Sequence, residues 1–165
     1  MKSYTDFDFK KIEKIVVNVG LGKLRSQPNF EEKLLKEVEK EIALITGQKP
    51  AIRRAKKSIA GFKIRKGEVV ALQVTLRGKR LVDFFIKLVS IVLPRVKDFK
   101  GIDLHQIDQN GNLNIGLKEQ FVFPEIQADQ SKVNFGLQIT IVPKPEYRKK
   151  AVVLYEELGV PLKKK

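Results

Sequence analysis

Several residue types on which enzyme chemistry depends are absent from this sequence or nearly so. Cysteine is absent, which excludes disulfides and thiolate chemistry and fits a reducing compartment. His105 is the only histidine, so no pair of histidines can form a metal site. We therefore expect no metal, no cofactor and no small-molecule substrate.

The remaining candidates for catalysis are weak. Gly20-Leu21-Gly22 follows a predicted strand, as in a dinucleotide-binding turn, but Arg25 stands where the third glycine belongs. Asp98, Asp103 and Asp108 are spaced five apart, which gives them no shared face on a helix or strand. A metal-dependent nuclease stays an alternative, and the composition predicts that the protein is not an enzyme.

Long apolar runs are missing as well. The longest, residues 81–93, is interrupted by Asp83, Lys87 and Ser90, and is too short and too polar to span a bilayer. Residues 1–11 lack the apolar core of a secretory signal. We expect a cytoplasmic protein without a membrane partner.

Negative charge is scarce, and in one segment it is absent. Lys and Arg total 33 against 19 Asp and Glu, which gives a formal charge of +14. Residues 49–66 contain no acid. Their cations are interleaved with apolar residues and glycine, and they are Lys49, Arg53, Arg54, Lys56, Lys57, Lys63, Arg65 and Lys66. A solvated surface is the simpler interpretation of these charges. However, the cations repel one another, and binding a polyanion would relieve this repulsion, which favours nucleic acid as a partner.

Hydrophobic periodicity indicates one α+β domain over residues 1–165. The predicted elements are a strand at 15–19; a helix at 30–46, capped by Asn29 and ended by Gly47; a short strand after Pro50; a strand at 68–77; a helix at 81–92, ended by Pro94; a turn at 108–111 between two short strands; a strand at 133–141; and a last helix opened by Pro145, with Tyr147, Ala151, Leu154, Tyr155 and Leu158 facing the core. Several connections are too short for parallel crossovers. We therefore predict a largely antiparallel sheet with helices packed on one face and a long basic loop.

The sheet face opposite the helices is predicted to be free of acids. In strand 68–77, for example, Val70 and Leu72 should face the core and Val69 the open side. The polar residues on the open sides of the three clearest strands are Lys14, Asn18, Gln73, Thr75, Arg77, Lys132, Asn134, Gln138 and Thr140. Amides, hydroxyls and cations without carboxylates suit RNA, and the absence of a basic recognition helix argues against duplex DNA.

Several motifs carry a resemblance to a known family. They are IVVNVGLG (15–22), ITGQKP (45–50), KKSIAGFKIRKG (56–67), VTLRG (74–78), LPRVKDFKG (93–101), GLKEQ (116–120) and FPEI (123–126). In order and spacing, from about residue 11 to the C-terminus, the sequence resembles large-subunit ribosomal protein five of the bacterial type.

The resemblance implies a structural protein of the large ribosomal subunit, on a cytoplasmic or an organellar ribosome, that binds 5S rRNA and large-subunit rRNA in the central protuberance. The motifs place 5S rRNA contacts at Asn18, Gln48, Thr75 and Arg77. Lys14 and Gln138, on the predicted open face, are added to this set.

The family's long loop reaches the elbow of the peptidyl-site tRNA, and this implies tRNA contacts at Lys56, Lys57, Ser58, Lys63 and Arg65. The resemblance further implies an intersubunit bridge to a head protein of the small subunit, which we place in the 108–111 hairpin and the FPEI region. An extra-ribosomal RNA chaperone with the same fold is the alternative function.

Two departures from the family pattern affect these expectations. Family members commonly carry an additional N-terminal helical segment, whereas this chain reaches its first strand almost at once, so any 5S rRNA contact of that segment should be missing or rebuilt. PKPEYRKKA (143–151) replaces a more acidic lead-in to the last helix, and Lys163, Lys164 and Lys165 close the chain. Both features are expected to shift the rRNA footprint.

Overall fold

The structure is a computed structural model that describes residues 9–144 and 147–163. The strands are β1 (Ile12–Gly20), β2 (Ala51–Arg54), β3 (Val69–Leu76), β4 (Leu113–Leu117) and β5 (Leu137–Pro143). The helices are α1 (Gly22–Arg25), α2 (Leu35–Thr46), α3 (Lys79–Lys87), α4 (Leu93–Arg95) and α5 (Arg148–Glu157). The five strands form one antiparallel sheet in the order β2-β3-β1-β5-β4, which confirms the α+β class.

The chain divides into two compact units, and β1, β3 and β5 contribute to both. The first unit contains the described parts of residues 1–16, 75–117 and 138–165. The second contains residues 17–74 and 118–137. A single functional domain over residues 1–165 stays a prediction.

In the second unit, the helix predicted at 30–46 is present, but it begins differently. Its first turn, Phe30–Leu34, is π-helical, and Asn29 lies in the left-handed region at φ 59° without a side-chain capping bond. The predicted Asn29 side-chain cap is therefore wrong, because a capping residue normally has extended backbone angles, which place its side chain over the first turn. Gly47, at φ 66°, ends α2 as predicted.

A β-bulge changes the predicted faces at the start of β3. Arg53 pairs with Ala71 and Arg54 with Val69, so Val70 has no partner on β2. Val69 is buried and Val70 only half-buried, the reverse of the prediction. The Val70 carbonyl accepts the Leu21 N–H at 3.0 Å instead. From Leu72 onward the predicted alternation holds.

The strand predicted at 133–141 begins later, at Leu137. Val133 and Phe135 are buried as predicted, but their backbone bonds to a side chain rather than to a strand. Gln120 donates from Nε2 to the Val133 carbonyl at 2.7 Å and accepts the Phe135 N–H at 3.0 Å. The buried Gln120 amide thus forms the hydrogen bonds that a partner strand would otherwise provide.

In the first unit, the helix predicted to end at Pro94 continues through it to Arg95. The π-helical turn Leu88–Val92 precedes α4, and the Leu93 N–H donates to the Leu88 carbonyl. A π-helical turn already departs from the regular i to i−4 hydrogen-bond pattern of the α-helix. Pro94, which cannot donate such a bond, is therefore tolerated directly after this turn.

Most of the residues predicted to face the core on the last helix are buried in the structure. Ala151, Leu154, Tyr155 and Leu158 are buried, whereas Tyr147 is 67% exposed. The inward prediction for Tyr147 is wrong because this residue precedes α5 with extended backbone angles. Pro145 lies outside the described residues.

The predicted turn at 108–111 forms, but only one flanking strand does. The Asp108 carboxylate accepts the Asn112 N–H at 2.8 Å, and the Gly111 N–H donates to the Asp108 carbonyl. On the N-terminal side, pairing is limited to one bridge between Ile107 and Leu113.

Candidate RNA-binding surfaces

The segment between β2 and β3 is an ordered hairpin-like loop, residues 55–68, here named the basic loop. Its base is closed by the Ala55 N–H donating to the Glu68 carbonyl at 2.8 Å and the Gly67 N–H donating to the Ala55 carbonyl at 2.9 Å. Further out, Ile59 and Ile64 exchange both backbone hydrogen bonds, at 2.8 and 3.1 Å. The loop therefore has its own internal ladder.

A tight turn forms the tip of the basic loop. A 3₁₀ turn, Ala60–Phe62, leads into Lys63, whose φ of 51° lies in the left-handed region. Ser58 Oγ accepts the Lys66 N–H at 3.0 Å. Ser58, a predicted tRNA contact, thus also supports the loop.

Arg25 fastens the loop from outside. Its Nη2 donates to the carbonyls of Phe62 and Lys63 at 3.2 and 2.9 Å, and its Nη1 lies 2.8 Å from Glu68 Oε2. The same Glu68 oxygen accepts the Arg65 N–H at 3.0 Å. Sequence patterns carry no direct signal for this clamp, because Arg25 lies 43 residues from Glu68 along the chain. In the sequence, Arg25 is noticeable only because it stands where the dinucleotide-binding motif would require its third glycine.

The predicted tRNA-contacting residues lie together on this loop. The side chains of Lys56, Lys57, Ser58, Lys63 and Arg65 are exposed, as is that of the neighbouring Lys66, and none of these five cations forms an ion pair among the described residues. Arg25 neutralises Glu68, the only acid in the loop. The loop therefore presents a concentrated positive field to solvent.

Apolar side chains are exposed within the same field. Phe62 at the tip is 74% exposed, and Ile59 is 47% exposed. On the adjoining β2, Ile52 is also exposed, and Arg53 Nε donates to Gln73 Oε1 at 2.6 Å.

The predicted 5S rRNA residues of the second unit are Asn18 and Gln48. Asn18, on β1, is half-buried between the buried Val17 and Val19. Gln48, just beyond α2, is half-buried too, and its carbonyl accepts the Thr46 hydroxyl at 3.0 Å. Lys132 and Asn134 are exposed as expected, but on irregular backbone rather than on a strand.

The first unit holds the other four predicted residues. Thr75 on β3 is half-buried, Arg77 just beyond it is exposed, and Gln138 on β5 is exposed. Lys14 Nζ lies 3.0 Å from Glu13 Oε1, so its charge is partly neutralised by the adjacent carboxylate. Thr140 donates to Asn114 Oδ1 at 2.8 Å.

The added C-terminal charge is partly neutralised. Lys163 Nζ lies 2.7 Å from Asp103 Oδ1, and this hydrogen bond lowers the pKa of the Asp103 carboxyl. Backbone bonds tie Ile102 to Pro161 and Lys163. Lys163 therefore contributes less free charge than its sequence position indicated, while Lys164 and Lys165 lie outside the described residues.

Neither a metal centre nor a membrane span is found in the part of the chain that the structure describes. Residues 9–144 and 147–163 contain no group of three or more His, Asp and Glu that could hold a metal ion. In the same ranges no helix is long and apolar enough to cross a bilayer.

Comparison with known proteins identifies the family. The family model described as ribosomal protein L5 matches residues 10–65, and the model of the C-terminus of the same ribosomal family matches residues 69–162. The chain belongs to the ribosomal protein L5 family. It is a structural, non-enzymatic component of the large ribosomal subunit, with ribosomal RNA as a partner and a cytoplasmic location.

Several large ribosomal subunit proteins uL5 are similar over most of this L5-family chain. The protein of Halothermothrix orenii is 48% identical, over 92% of this chain and 82% of its own. That of Thermus aquaticus is 46% identical, over 96% of this chain and 85% of its own. That of Pseudothermotoga lettingae is 49% identical, over 93% of this chain and 82% of its own.

Proposed function

We propose that this protein anchors 5S rRNA to the large subunit, contacts large-subunit rRNA, and presents the basic loop to the elbow of the peptidyl-site tRNA. The observation that carries this proposal is the basic loop itself. Its five exposed cations have no ion-pair partner among the described residues, and the Arg25 clamp holds its tip. A preorganised cationic loop can neutralise backbone phosphates at a low entropic cost of ordering.

The proposed 5S rRNA contacts are different in character. Asn18, Gln48, Thr75 and Gln138 are amide or hydroxyl side chains that remain accessible on or beside strands, and Lys14 and Arg77 add charge. Such groups can read ribose hydroxyls and base edges, whereas lysines on a loop mainly contact phosphates. We therefore assign 5S rRNA specificity to these residues and tRNA contact to the loop.

The proposed bridge to a head protein of the small subunit involves the 108–111 turn and residues 123–126. Gln109 and Asn110 are exposed in the turn, and Pro124 and Glu125 are exposed in the other segment. Each segment is thus accessible for a protein contact.

Filter binding of the full-length protein to isolated 5S rRNA tests the anchoring role. We expect Asn18→Ala and Arg77→Ala each to weaken binding by about 1–3 kcal/mol if each side chain makes a direct hydrogen bond in a desolvated interface. The matched control is Arg95→Ala, which also removes one exposed arginine, at the end of α4.

The control separates specific contact from loss of charge. If Arg95→Ala weakens binding as much as Arg77→Ala, the effect is general electrostatics and the assignment of Arg77 fails. Wild-type affinity in both Asn18→Ala and Arg77→Ala would exclude these residues from the 5S rRNA interface.

A further inference from the structure

The tip of the basic loop carries an aromatic ring that the protein itself does not cover. Phe62 is 74% exposed, the highest exposure among the large hydrophobic side chains of the described residues. Aromatic side chains dominate the energetics of interfaces, so an exposed ring at a loop tip is a candidate contact.

The backbone of Phe62 is held in place while its side chain points to solvent. Its carbonyl accepts Arg25 Nη2 at 3.2 Å, and its N–H donates to the Ile59 carbonyl at 3.3 Å. Lys63, the next residue, is held at φ 51° by a bond to Ala60 and by the same Arg25 nitrogen. The ring is thus presented on a fixed turn, and little ordering is left to occur on binding.

The surroundings of the ring indicate the chemistry of its partner. Exposed cations lie on both sides of it in the sequence, among them Lys57, Lys63 and Arg65, and the single acid of the loop is neutralised by Arg25. A Cβ added at Gly61 would meet nothing within 4 Å, so the space beside the tip is open. An aromatic face within a cationic, acid-free setting suits a nucleobase flanked by phosphates.

We propose that Phe62 stacks on an accessible nucleobase of the tRNA elbow while the surrounding cations contact its phosphates. The proposal rests on the function proposed for the basic loop and adds a contact that does not depend on charge. Loop lysines alone would bind any phosphate backbone, whereas a stacked ring requires a base that offers its face. Phe62 would therefore fix the position of the loop on the tRNA.

The test uses ribosomes reconstituted with the full-length protein and measures the affinity of deacylated tRNA for the peptidyl site over a range of KCl concentrations. We expect Phe62→Ala and Phe62→Leu to weaken tRNA binding by roughly 5- to 150-fold, the range for one stacked base. Phe62→Tyr, which retains an aromatic face, should stay within about threefold of wild type. The slope of log affinity against log salt should not change, because every cation that pairs with a phosphate is retained.

Two further variants make the result decisive. Tyr147→Ala removes an exposed aromatic ring outside the loop and should leave tRNA affinity unchanged. Charge reversal at Lys57 and Lys63 should weaken tRNA binding and reduce the salt slope. Isolated 5S rRNA binding at wild-type affinity verifies that each Phe62 variant is folded.

The unfavourable outcomes are distinguishable. Wild-type affinity in Phe62→Ala together with weakened binding in the charge-reversed loop would overturn stacking but leave the loop's proposed function intact. Wild-type affinity in both would overturn the two together. If Phe62→Leu behaves like wild type, the ring contacts an apolar surface, such as that of a protein, and the stacking proposal is wrong.

Discussion

The side chain of Gln120 forms hydrogen bonds with the backbone of residues 133–135, which do not belong to a strand. Its fully buried amide bonds to the Val133 carbonyl and the Phe135 N–H, and its Nε2 also lies 3.2 Å from Glu41 Oε2. The sequence pattern could predict the burial of Val133 and Phe135, because alternation depends only on side chains. It could not predict that a glutamine would replace the strand ladder, because that contact joins segments far apart in sequence.

Glu41 is the most unusual acid of the described residues. It lies on α2 with 5% exposure, and Ser131 Oγ donates to its Oε1 at 2.5 Å. Burial raises the pKa of its carboxyl above the ordinary value of 4.5, although hydrogen bonds from Ser131 and Gln120 partly oppose this shift. The folded state therefore binds this proton more tightly than the unfolded state does.

A definite pH dependence follows for Glu41. Its contribution to the free energy of unfolding is largest below pH 4.5 and is lost as the pH rises through the raised pKa. We expect Glu41→Gln to gain stability relative to wild type as the pH increases across that window, as measured by urea unfolding at several pH values. A constant difference between Glu41→Gln and wild type at every pH would contradict the raised pKa.

At the scale of elements, the sequence predicted which segments form but not where the backbone departs from regularity. The periodicity of α2 and β3 follows from side-chain burial and is visible in one dimension. The bulge at Val70, the helix through Pro94 and the late start of β5 depend on which backbone groups find partners. Those partners are set by tertiary structure, so local patterns do not contain them.

The basic loop illustrates the same division. Its cations were readable from the acid-free run at 49–66, which also includes β2, but its internal order was not. That order depends on Arg25 of α1, which bonds to both tip carbonyls and to Glu68. We infer that this clamp, together with the loop's own Ile59–Ile64 ladder, limits the conformations available to the tip.

Removing the clamp should loosen the loop without unfolding the protein. Arg25→Ala eliminates three side-chain bonds to the loop, and we expect faster amide hydrogen exchange at Ile59 and Ile64, whose N–H groups close the internal ladder. The unfolding free energy should fall by roughly 1–3 kcal/mol, because the Arg25 side chain is only 16% exposed and its bonds to the loop are charge-assisted.

Arg53→Ala provides the matched control for the clamp. It also removes an arginine hydrogen bond, that to Gln73 between β2 and β3, but does not touch the tip. Exchange at Ile59 and Ile64 should stay at the wild-type rate in this variant. Equal rates in Arg25→Ala and wild type would show that the ladder orders the loop unaided.

For the whole molecule, the formal charge of +14 attracts any RNA, so net charge alone would not separate the two RNA contacts that we propose. The position of the acids relative to the cations differs between parts of the chain. On the outer part of α2, lysines alternate with glutamates, whereas the basic loop has one acid, which is already paired. Local excess of cations, rather than net charge, should therefore decide where tRNA phosphates bind.

A charge-reversal pair tests this distribution. Lys57→Glu with Lys63→Glu and the control Lys33→Glu with Lys36→Glu change the net charge equally, and all four lysines are exposed. We expect only the loop pair to weaken peptidyl-site tRNA binding on reconstituted ribosomes, with the salt slope falling by about 0.7–0.9 for each phosphate that is no longer neutralised. Affinity for isolated 5S rRNA should stay within roughly twofold of wild type in both pairs, since the electrostatic effect follows the phosphates that each lysine pairs with. Loss of 5S rRNA binding in the loop pair alone would mean that the basic loop contacts 5S rRNA, and the proposed separation of the two surfaces would be wrong.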